Sequence, residues 1–289
     1  MIYVMYNPLA GNRTCEERCK GVGEIFSSDE IKYIDLLAID DLAVYIGKLS
    51  SDDQIVICGG DGTLNYIINH MDTSELEQDI FYYPCGSGND FYHDVDAEGT
   101  NGVFRINKYL KCMPTVCVKG ISKLFINGVG FGIDGYCCEE GDKKRIVSPG
   151  KRVNYTTIAL KGLVYDFKKV NATVTVDGQT YTYRNVWMAP TMNGRYYGGG
   201  MMCAPNQDRM NEDGLVSVIV VHSRLRLSLL LAFLSVFKGK HVRYKSLVTQ
   251  LKGSNVTVEF DRPTALQIDG ETVTDVLSYT VNKEKKIIC

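Results

Sequence analysis

The chain has 289 residues, of which 45% are hydrophobic and 23% are charged, the usual mix for a soluble globular protein. This length predicts one large domain or two domains of ordinary size. The formal net charge of −2 argues against a nucleic-acid-binding protein, which usually carries a basic excess.

The N-terminus and the cysteines indicate the compartment. The chain begins MIYVMYNP, which predicts a strand rather than a secretory signal. The longest predominantly apolar stretch, Leu227–Phe237, has 11 residues, too few to cross a bilayer. The ten cysteines include no CxxC pair, which favours reduced, mostly buried thiols. We therefore expect a cytoplasmic protein.

Predicted strands and turn-forming residues alternate in the first third of the chain. A helix is predicted from about Thr14, and Asp40–Leu49 has the apolar spacing of an amphipathic helix. Repeated strand–loop–helix units predict a parallel sheet covered by helices, and such sheets bind ligands at the carboxyl ends of their strands. The predicted strands are Ile2–Tyr6, Ile31–Leu37, Gln54–Cys58 and Ile80–Tyr83.

Residues 54–65, QIVICGGDGTLN, read as a strand, a glycine-rich turn and a helix. Glycines let the backbone come close to a bound group, and a helix N-terminus favours an anion. Asp61 in this turn would repel a bare phosphate, so we expect Mg²⁺ between them. The alternative is a tight turn in which Asp61 only caps a helix. The spacing fits neither a dinucleotide fingerprint nor a Walker motif.

Two further loops leave the same ends of the predicted strands. The first is Asn7-Pro8-Leu9-Ala10-Gly11, and the second is Pro84–Asp90, in which Ser87 and Asn89 can contact a nucleotide. Each loop alone is typical of a turn or a helix cap. Together with residues 59–63 they predict a nucleotide site.

After about residue 113 the pattern changes to short strands, interrupted by one predicted helix at Val153–Phe167. Asp177-Gly178 lies between two alternating runs and predicts a two-residue hairpin turn. We therefore expect a mostly antiparallel β domain, with the boundary near 112–120. The predicted strands are Thr115–Lys119, Leu124–Asn127, Ala172–Val176, Gln179–Val186, Val216–Val221, Asn255–Phe260, Thr264–Ile268, Ser278–Val281 and Lys286–Cys289.

Three segments of the second half are open to two interpretations. Asp213-Gly214 and Asp269-Gly270 are either plain turns or functional sites in which the Asp carboxylate takes part. Leu225–Phe237 is apolar on most faces, which favours a buried core helix. Alternatively it lies on the surface and dips into anionic lipid. The basic residues that flank it are Arg224, Arg226, Lys238, Lys240, Arg243 and Lys245.

The motifs NPxxG, GGDGTLN and PCGSGNDF, in this order, resemble the bacterial diacylglycerol kinase and lipid kinase family, which is related to sphingosine kinases and more distantly to NAD kinases. The stretches 125–135 and 193–205 resemble family motifs too. The resemblance implies an N-terminal α/β nucleotide-binding domain with a parallel sheet, residues 1–115 joined by a C-terminal strand at 283–289. A C-terminal antiparallel β-rich domain, residues 116–282, would follow, with the active site in the cleft between them.

The resemblance also implies ATP and Mg²⁺ as cofactors and assigns roles to residues. Glu271 would be the general base, Asp269 its partner or a carboxylate on the metal side, and Asp61 the residue that holds the catalytic metal. A structural Mg²⁺ would be bound by the Asp213 side chain and the carbonyls of Met210 and Leu215. The implied nucleotide-binding residues are Asn7, Pro8, Gly11, Gly59, Gly60, Asp61, Gly62, Thr63, Asn65, Ser87 and Asn89.

The implied activity is transfer of the γ-phosphoryl group of ATP to a lipid hydroxyl, with diacylglycerol as the preferred acceptor and phosphatidic acid as the product. The alternatives are another acceptor, namely a sphingoid base, phosphatidylglycerol or NAD, or a non-catalytic nucleotide-binding regulator. The expected partner is a lipid substrate at the membrane surface, visited transiently. A homodimer is also considered, and no nucleic-acid partner is expected.

Overall fold

A computed structural model describes the chain except for residues 27–29, 72, 74–75, 96–101, 149–152 and 285–289. The chain forms two compact units. Unit one comprises Met1–Met113 and Gly198–Gly200, and unit two comprises Pro114–Tyr197 and Met201–Cys289. The sequence did not predict that residues 198–200 belong to unit one. The predicted strand Lys286–Cys289 lies outside the described residues, whereas Lys283, expected in the first domain, belongs to unit two.

Unit one contains a five-stranded sheet with the order β2-β1-β3-β4-β5. The first four strands are parallel, as predicted, and β5 pairs antiparallel with β4. The sequence did not predict β5, because two residues are too few for a periodic pattern. The strands are β1 (Ile2–Tyr6), β2 (Ile31–Asp35), β3 (Gln54–Gly59), β4 (Asp79–Pro84) and β5 (Phe104–Arg105).

The helices of unit one are mostly short and follow the strands along the chain. Leu64, Ile67 and Ile68 of the longest helix are buried, as their helical spacing predicts. Short 3₁₀ turns lie at Cys19–Gly21 and Leu36–Ala38. The helices are α1 (Ala10–Arg13), α2 (Cys15–Arg18), α3 (Val22–Ile25), α4 (Leu42–Ile46), α5 (Asp61–His70), α6 (Asp90–Val95) and α7 (Asn107–Leu110).

Unit two is built on a ten-stranded antiparallel sheet with the order β7-β6-β15-β14-β8-β11-β12-β10-β9, in which β13 pairs with β12. Because β9 also pairs with β14, six of these strands close into a ring. Valine side chains fill the core, and Phe131 stacks on Phe260 with ring centroids 3.8 Å apart. The strands are β6 (Thr115–Val118), β7 (Ile121–Leu124), β8 (Gly128–Phe131), β9 (Val170–Val176), β10 (Gln179–Met188), β11 (Thr191–Met192), β12 (Val216–His222), β13 (Val248–Gly253), β14 (Asn255–Ile268) and β15 (Glu271–Asn282).

Three α-helices accompany this sheet in the described part of the chain, and each departs from the prediction in its existence, length or burial. Helix α8 (Ile133–Val147) was not predicted. Helix α9 (Tyr155–Lys161) is shorter than predicted, because a π-helical turn at Gly162–Asp166 follows it. Helix α10 (Arg226–Val236) buries only part of its apolar surface, so the preferred interpretation of a buried core helix was wrong for its other face.

Candidate active site

The three glycine-containing loops of unit one meet at the carboxyl ends of β1, β3 and β4. Asn7 donates from its side chain to the Thr63 hydroxyl at 3.3 Å and from its backbone to the Cys58 carbonyl at 3.2 Å. The N–H groups of Cys85 and Gly86 both donate to the Gly59 carbonyl, at 2.7 and 3.0 Å. These bonds tie residues 7–11 and 84–90 to the turn after β3.

The glycines of these loops serve two different purposes. A Cβ on Gly11, which has a φ of +59°, would lie 2.2 Å from the Cys85 carbonyl oxygen. A Cβ on Gly86 would lie 2.4 Å from the Gly60 Cα. These glycines therefore allow close packing of loop on loop. Gly62 is different, because a Cβ there would meet nothing within 4 Å. Gly62 lies in the first turn of α5, where helix N–H groups lack intrahelical acceptors and favour an anion.

Asp61 joins two of the loops. Its carboxylate accepts the N–H of Asp90 and the N–H of Phe91, both at 2.9 Å, and so caps the start of α6. Asp61 is therefore a helix cap, as one of the two interpretations of the sequence proposed. The helix that it caps is α6, whereas Asp61 itself lies in α5. A carboxylate has about four lone-pair sites, so a cap of this kind is compatible with binding Mg²⁺ as well.

Asp90 is a buried carboxylate of the same site and was not a predicted site residue. It accepts the N–H of Gly199 at 2.8 Å and the N–H of Gly200 at 2.6 Å. Burial, and secondarily the nearby Asp61 carboxylate, raise the pKa of Asp90 to about 6, although the two glycine N–H groups oppose the shift. The sequence feature that could have identified Asp90 is its position directly after Asn89, at the first residue of α6.

Asn89 has an unusual position beside the glycines. Its φ is +53°, and its side-chain amide donates to the Gly86 carbonyl at 3.1 Å. Its Oδ1 atom is buried and has no hydrogen-bond partner within the described part of the chain. A buried acceptor that lacks a donor is uncommon and suits a hydroxyl or amine of a ligand. With the open space at Gly62, it makes the residues of this site fit a nucleotide.

Other predicted nucleotide-binding residues lie in different surroundings. Ser87 is exposed and Pro8 is half-buried in the first loop. Asn65 is 2% exposed within α5, where its backbone carbonyl accepts from the Asn69 side chain at 2.9 Å. Arg18, which was not predicted, donates to the carbonyls of Pro84 and Cys85 at 3.0 and 3.1 Å and so holds the third loop.

In unit two, Asp269 lies in the hairpin between β14 and β15. Asp269 and Gly270 have φ values of +45° and +96°, which confirms the predicted two-residue turn. The Asp269 carboxylate accepts three backbone N–H groups, from Ile126 at 2.5 Å, Asn127 at 2.8 Å and Gly128 at 3.0 Å. Its observed contacts are therefore those of a residue that holds the segment between β7 and β8.

Buried polar groups surround that segment on its other sides. Arg209 donates to the Ile126 carbonyl at 3.2 Å and to the Asn127 side chain at 3.1 Å. Lys283 donates to the Asn193 side chain and to the Arg209 carbonyl, both at 2.8 Å. Arg209 and Lys283 are 7% and 2% exposed, so the segment is held by Asp269 and by the buried Arg209, which the buried Lys283 holds in turn.

Glu271 differs from Asp269 in exposure and in partner. Its side chain is 57% exposed, and it forms a salt bridge with Lys123 at 2.5 Å. Lys123 is 30% exposed and was not predicted as a site residue. Of the two carboxylates at this hairpin, Glu271 is the one at the surface.

The residues of the 210–215 turn do not fit a structural metal ion. The Leu215 carbonyl, a predicted ligand, already accepts the side-chain amides of Gln207 at 2.9 Å and Asn211 at 2.8 Å. Asn211 also accepts the Leu215 N–H at 2.6 Å, so its amide closes the turn. Asp213 is exposed. Amide N–H groups that point at the proposed oxygen ligand would repel a cation there.

Unit two contains a carboxylate, that of Asp134, whose buried oxygen was also missed. It lies in the first turn of α8, and its Oδ1 atom has no hydrogen-bond partner among the described residues. Its Oδ2 atom accepts from the Tyr197 hydroxyl at 3.4 Å. Burial raises the pKa of Asp134 to about 6, although N–H groups of α8 and Tyr197 oppose this.

Comparison with known proteins agrees with this arrangement. Residues 1–113 match the family model of the diacylglycerol kinase catalytic domain, and residues 127–282 match that of the YegS C-terminal NAD kinase beta sandwich-like domain. A diacylglycerol kinase of Mycobacterium tuberculosis is 23% identical over 281 residues, which cover 90% of this chain and 88% of that protein.

A solved structure shows the same fold. A diacylglycerol kinase from Bacillus anthracis superposes with a TM-score of 0.62 and 17% identity, covering 98% of this chain and 93% of that one. The two family models together match nearly the whole sequence, and the second alone matches more than half of it. The chain therefore belongs to the diacylglycerol kinase family of lipid kinases, nucleotide-using phosphotransferases with an alcohol group as acceptor.

Proposed function

We propose that the protein transfers the γ-phosphoryl group of Mg²⁺-bound ATP to the hydroxyl of diacylglycerol and produces phosphatidic acid. The observation that carries this proposal is the meeting of three glycine-containing loops at the carboxyl ends of parallel strands, with open space at Gly62. The name of the Mycobacterium tuberculosis relative supports diacylglycerol as the acceptor.

In this proposal the loops of unit one bind and orient the nucleotide. The N–H groups at the start of α5 bind phosphate oxygens, and Asn89 accepts from a nucleotide donor through its buried Oδ1 atom. Asp61 would hold Mg²⁺ while it caps α6. The metal ion supplies positive charge that offsets the charge developing on the transferred group.

Glu271 of unit two takes the proton from the acceptor. A lipid hydroxyl is a weak nucleophile, and a carboxylate within about 2.6–3.2 Å can accept its proton as the bond to phosphorus forms. Lys123 restricts the Glu271 side chain through their salt bridge, so it is a positioning residue in this scheme. Asp269 acts through the backbone that it holds rather than through the reacting atoms.

The test compares acceptors side by side. Purified protein is incubated with γ-labelled ATP and Mg²⁺, and with diacylglycerol, sphingosine, phosphatidylglycerol or NAD in parallel. We expect label in phosphatidic acid, and a loss of about 10²–10⁴-fold in kcat for Glu271→Gln with ATP binding retained. Lys123→Gln is the matched control for the salt bridge and should cost much less. Label in NAD alone, or in another lipid alone, would refute the assignment of the acceptor.

Two further points belong to this proposal. Because diacylglycerol is insoluble, the protein must visit a membrane surface to collect it, and this visit would be transient. A homodimer stays a prediction, and light scattering on the purified protein would test it.

A further inference from the structure

Helix α10 has two apolar stripes, and only one of them is buried against the rest of unit two. Leu229, Ala232 and Val236 are 2%, 4% and 7% exposed and form the buried stripe. A second row follows the helical spacings of three and four residues and faces roughly away from the first. Its members are Leu227, Leu230, Leu234 and Phe237, of which Leu227, Leu234 and Phe237 are 71%, 64% and 44% exposed.

The N-terminal end of α10 is fixed against a second exposed apolar segment. The Arg226 guanidinium donates to the carbonyls of Leu163 at 2.6 Å and Phe167 at 3.2 Å, and it lies 4.9 Å from the Trp187 ring centroid. Next to Leu163 in the chain, Val164 and Tyr165 are 41% and 77% exposed. Single exposed apolar residues are ordinary, but an ordered row beside further exposed apolar residues indicates an interaction surface.

The charged residues that flank α10 along the chain all have one sign. Between Asp213 and Glu259 the chain has seven Lys or Arg residues and no Asp or Glu, although the whole chain has a net charge of −2. Among the described residues, none of the five that flank the helix most openly along the chain has a carboxylate within salt-bridge distance. All five are exposed: Arg224, Lys238, Lys240, Arg243 and Lys245.

We propose that the exposed row of α10 and its basic ends, called here the α10 surface, dock on a bilayer that contains anionic phospholipid. Leucine and phenylalanine side chains would enter the boundary between headgroups and acyl chains, while the lysines and arginines contact lipid phosphates. None of the helices in the described ranges is long and apolar enough to cross a membrane. A helix of 11 residues suits binding parallel to the membrane plane.

This proposal deepens the proposed function and rests on it in one respect, namely that a lipid acceptor gives the protein a reason to visit a bilayer. The alternative occupant is a second copy of the chain. Charge decides between them, because two copies that met through this surface would bring like-charged basic ends together, whereas anionic lipid complements them.

Vesicle sedimentation tests the proposal directly. The full chain is mixed with vesicles of phosphatidylcholine alone or of phosphatidylcholine with phosphatidylglycerol, at low and at high salt. We expect binding to the anionic vesicles that weakens with salt. The double variant Leu227→Gln/Leu234→Gln should bind at least about tenfold more weakly, since apolar burial is lost. Lys238→Gln/Lys240→Gln should weaken binding and reduce its salt dependence.

Leu277→Gln is the matched control, because Leu277 is 51% exposed but lies on β15, and this variant should bind like the unmodified chain. Phosphorylation of a short-chain, water-soluble diacylglycerol should be equal in all variants. Equal vesicle binding by the Leu227/Leu234 variant and the unmodified chain would overturn the proposal. So would loss of a dimer in that variant when the unmodified chain binds no vesicles. Vesicle binding without phosphorylation of any lipid would uphold the docking surface and refute the proposed acceptor.

Discussion

Replacing Asp269 by Asn should destabilise unit two, because the carboxylate accepts three backbone N–H groups of residues 126–128. Asparagine keeps one acceptor oxygen but turns an NH₂ group toward backbone donors. Hydrogen bonds to a charged acceptor are worth about 1.5–3 kcal/mol each. The side chain is half-buried, and losing one or two such bonds should cost about 2–4 kcal/mol.

Thermal unfolding measures this loss. For a domain of this size, 1 kcal/mol shifts Tm by about 2–4 °C, so Asp269→Asn should lower Tm by roughly 5–15 °C. Activity should fall with the folded fraction and recover when the assay temperature is lowered. The neighbouring Glu271→Gln is the matched control, because an exposed salt bridge is worth only about 0–1 kcal/mol.

The two variants should therefore separate stability from catalysis. Glu271→Gln should keep Tm nearly unchanged and lose about 10²–10⁴-fold in kcat. If Asp269→Asn keeps its Tm and loses turnover instead, the three hydrogen bonds do not support the turn, and Asp269 rather than Glu271 is the base. If Glu271→Gln is fully active, neither the salt bridge nor the exposed carboxylate serves the reaction.

Three further predictions concern the other sites. Gly11→Ala should cost about 2–4 kcal/mol in stability, because φ is +59° and the Cβ would lie 2.2 Å from the Cys85 carbonyl, whereas Gly62→Ala should fold normally and weaken ATP binding. Equal melting curves for these two variants would contradict the packing argument. The pKa of Asp134 is raised to about 6 from an unfolded value of about 3.9, so the protein loses up to roughly 3 kcal/mol of stability as pH rises from about 4 to 6. The stability of Asp134→Asn relative to the unmodified chain should rise by that amount over this range, and parallel pH curves would refute the burial argument. Because the Leu215 carbonyl accepts two amide groups, neither EDTA nor added Mg²⁺ should change Tm in the absence of nucleotide, and a Tm that rises with Mg²⁺ would restore the metal site.

Local patterns predicted those parts of the fold that depend on neighbouring residues. The apolar run Gln54–Cys58 and the glycines after it predicted β3 and the turn into α5. The two Asp-Gly turns, at 177–178 and 269–270, were predicted because both residues of such a turn need positive φ, which Asp tolerates and Gly adopts freely. The convergence of the three loops followed from the parallel sheet.

Elements that depend on distant contacts were missed. Helix α8 contains Gly135 and Gly141, which lower helix propensity and hid the helix. The structure shows why they are glycines, since a Cβ on Gly135 would lie 2.0 Å from the Ala265 carbonyl and one on Gly141 would lie 2.7 Å from the Tyr155 ring. The roles of Asp90 and Asp269 were hidden for a similar reason, because their donors lie far away in the sequence.

The assignment of Gly198–Gly200 to unit one has a consequence for dissecting the protein into fragments. A fragment that ends at Met113 contains all five strands of the first sheet but lacks the two glycine N–H groups that Asp90 accepts. The buried Asp90 carboxylate would then have to find water or take up a proton, at a cost of about 1–3 kcal/mol for each lost partner. Residues 1–113 are therefore an incomplete unit, and their expression alone should give a weakened domain that a peptide carrying residues 195–203 stabilises.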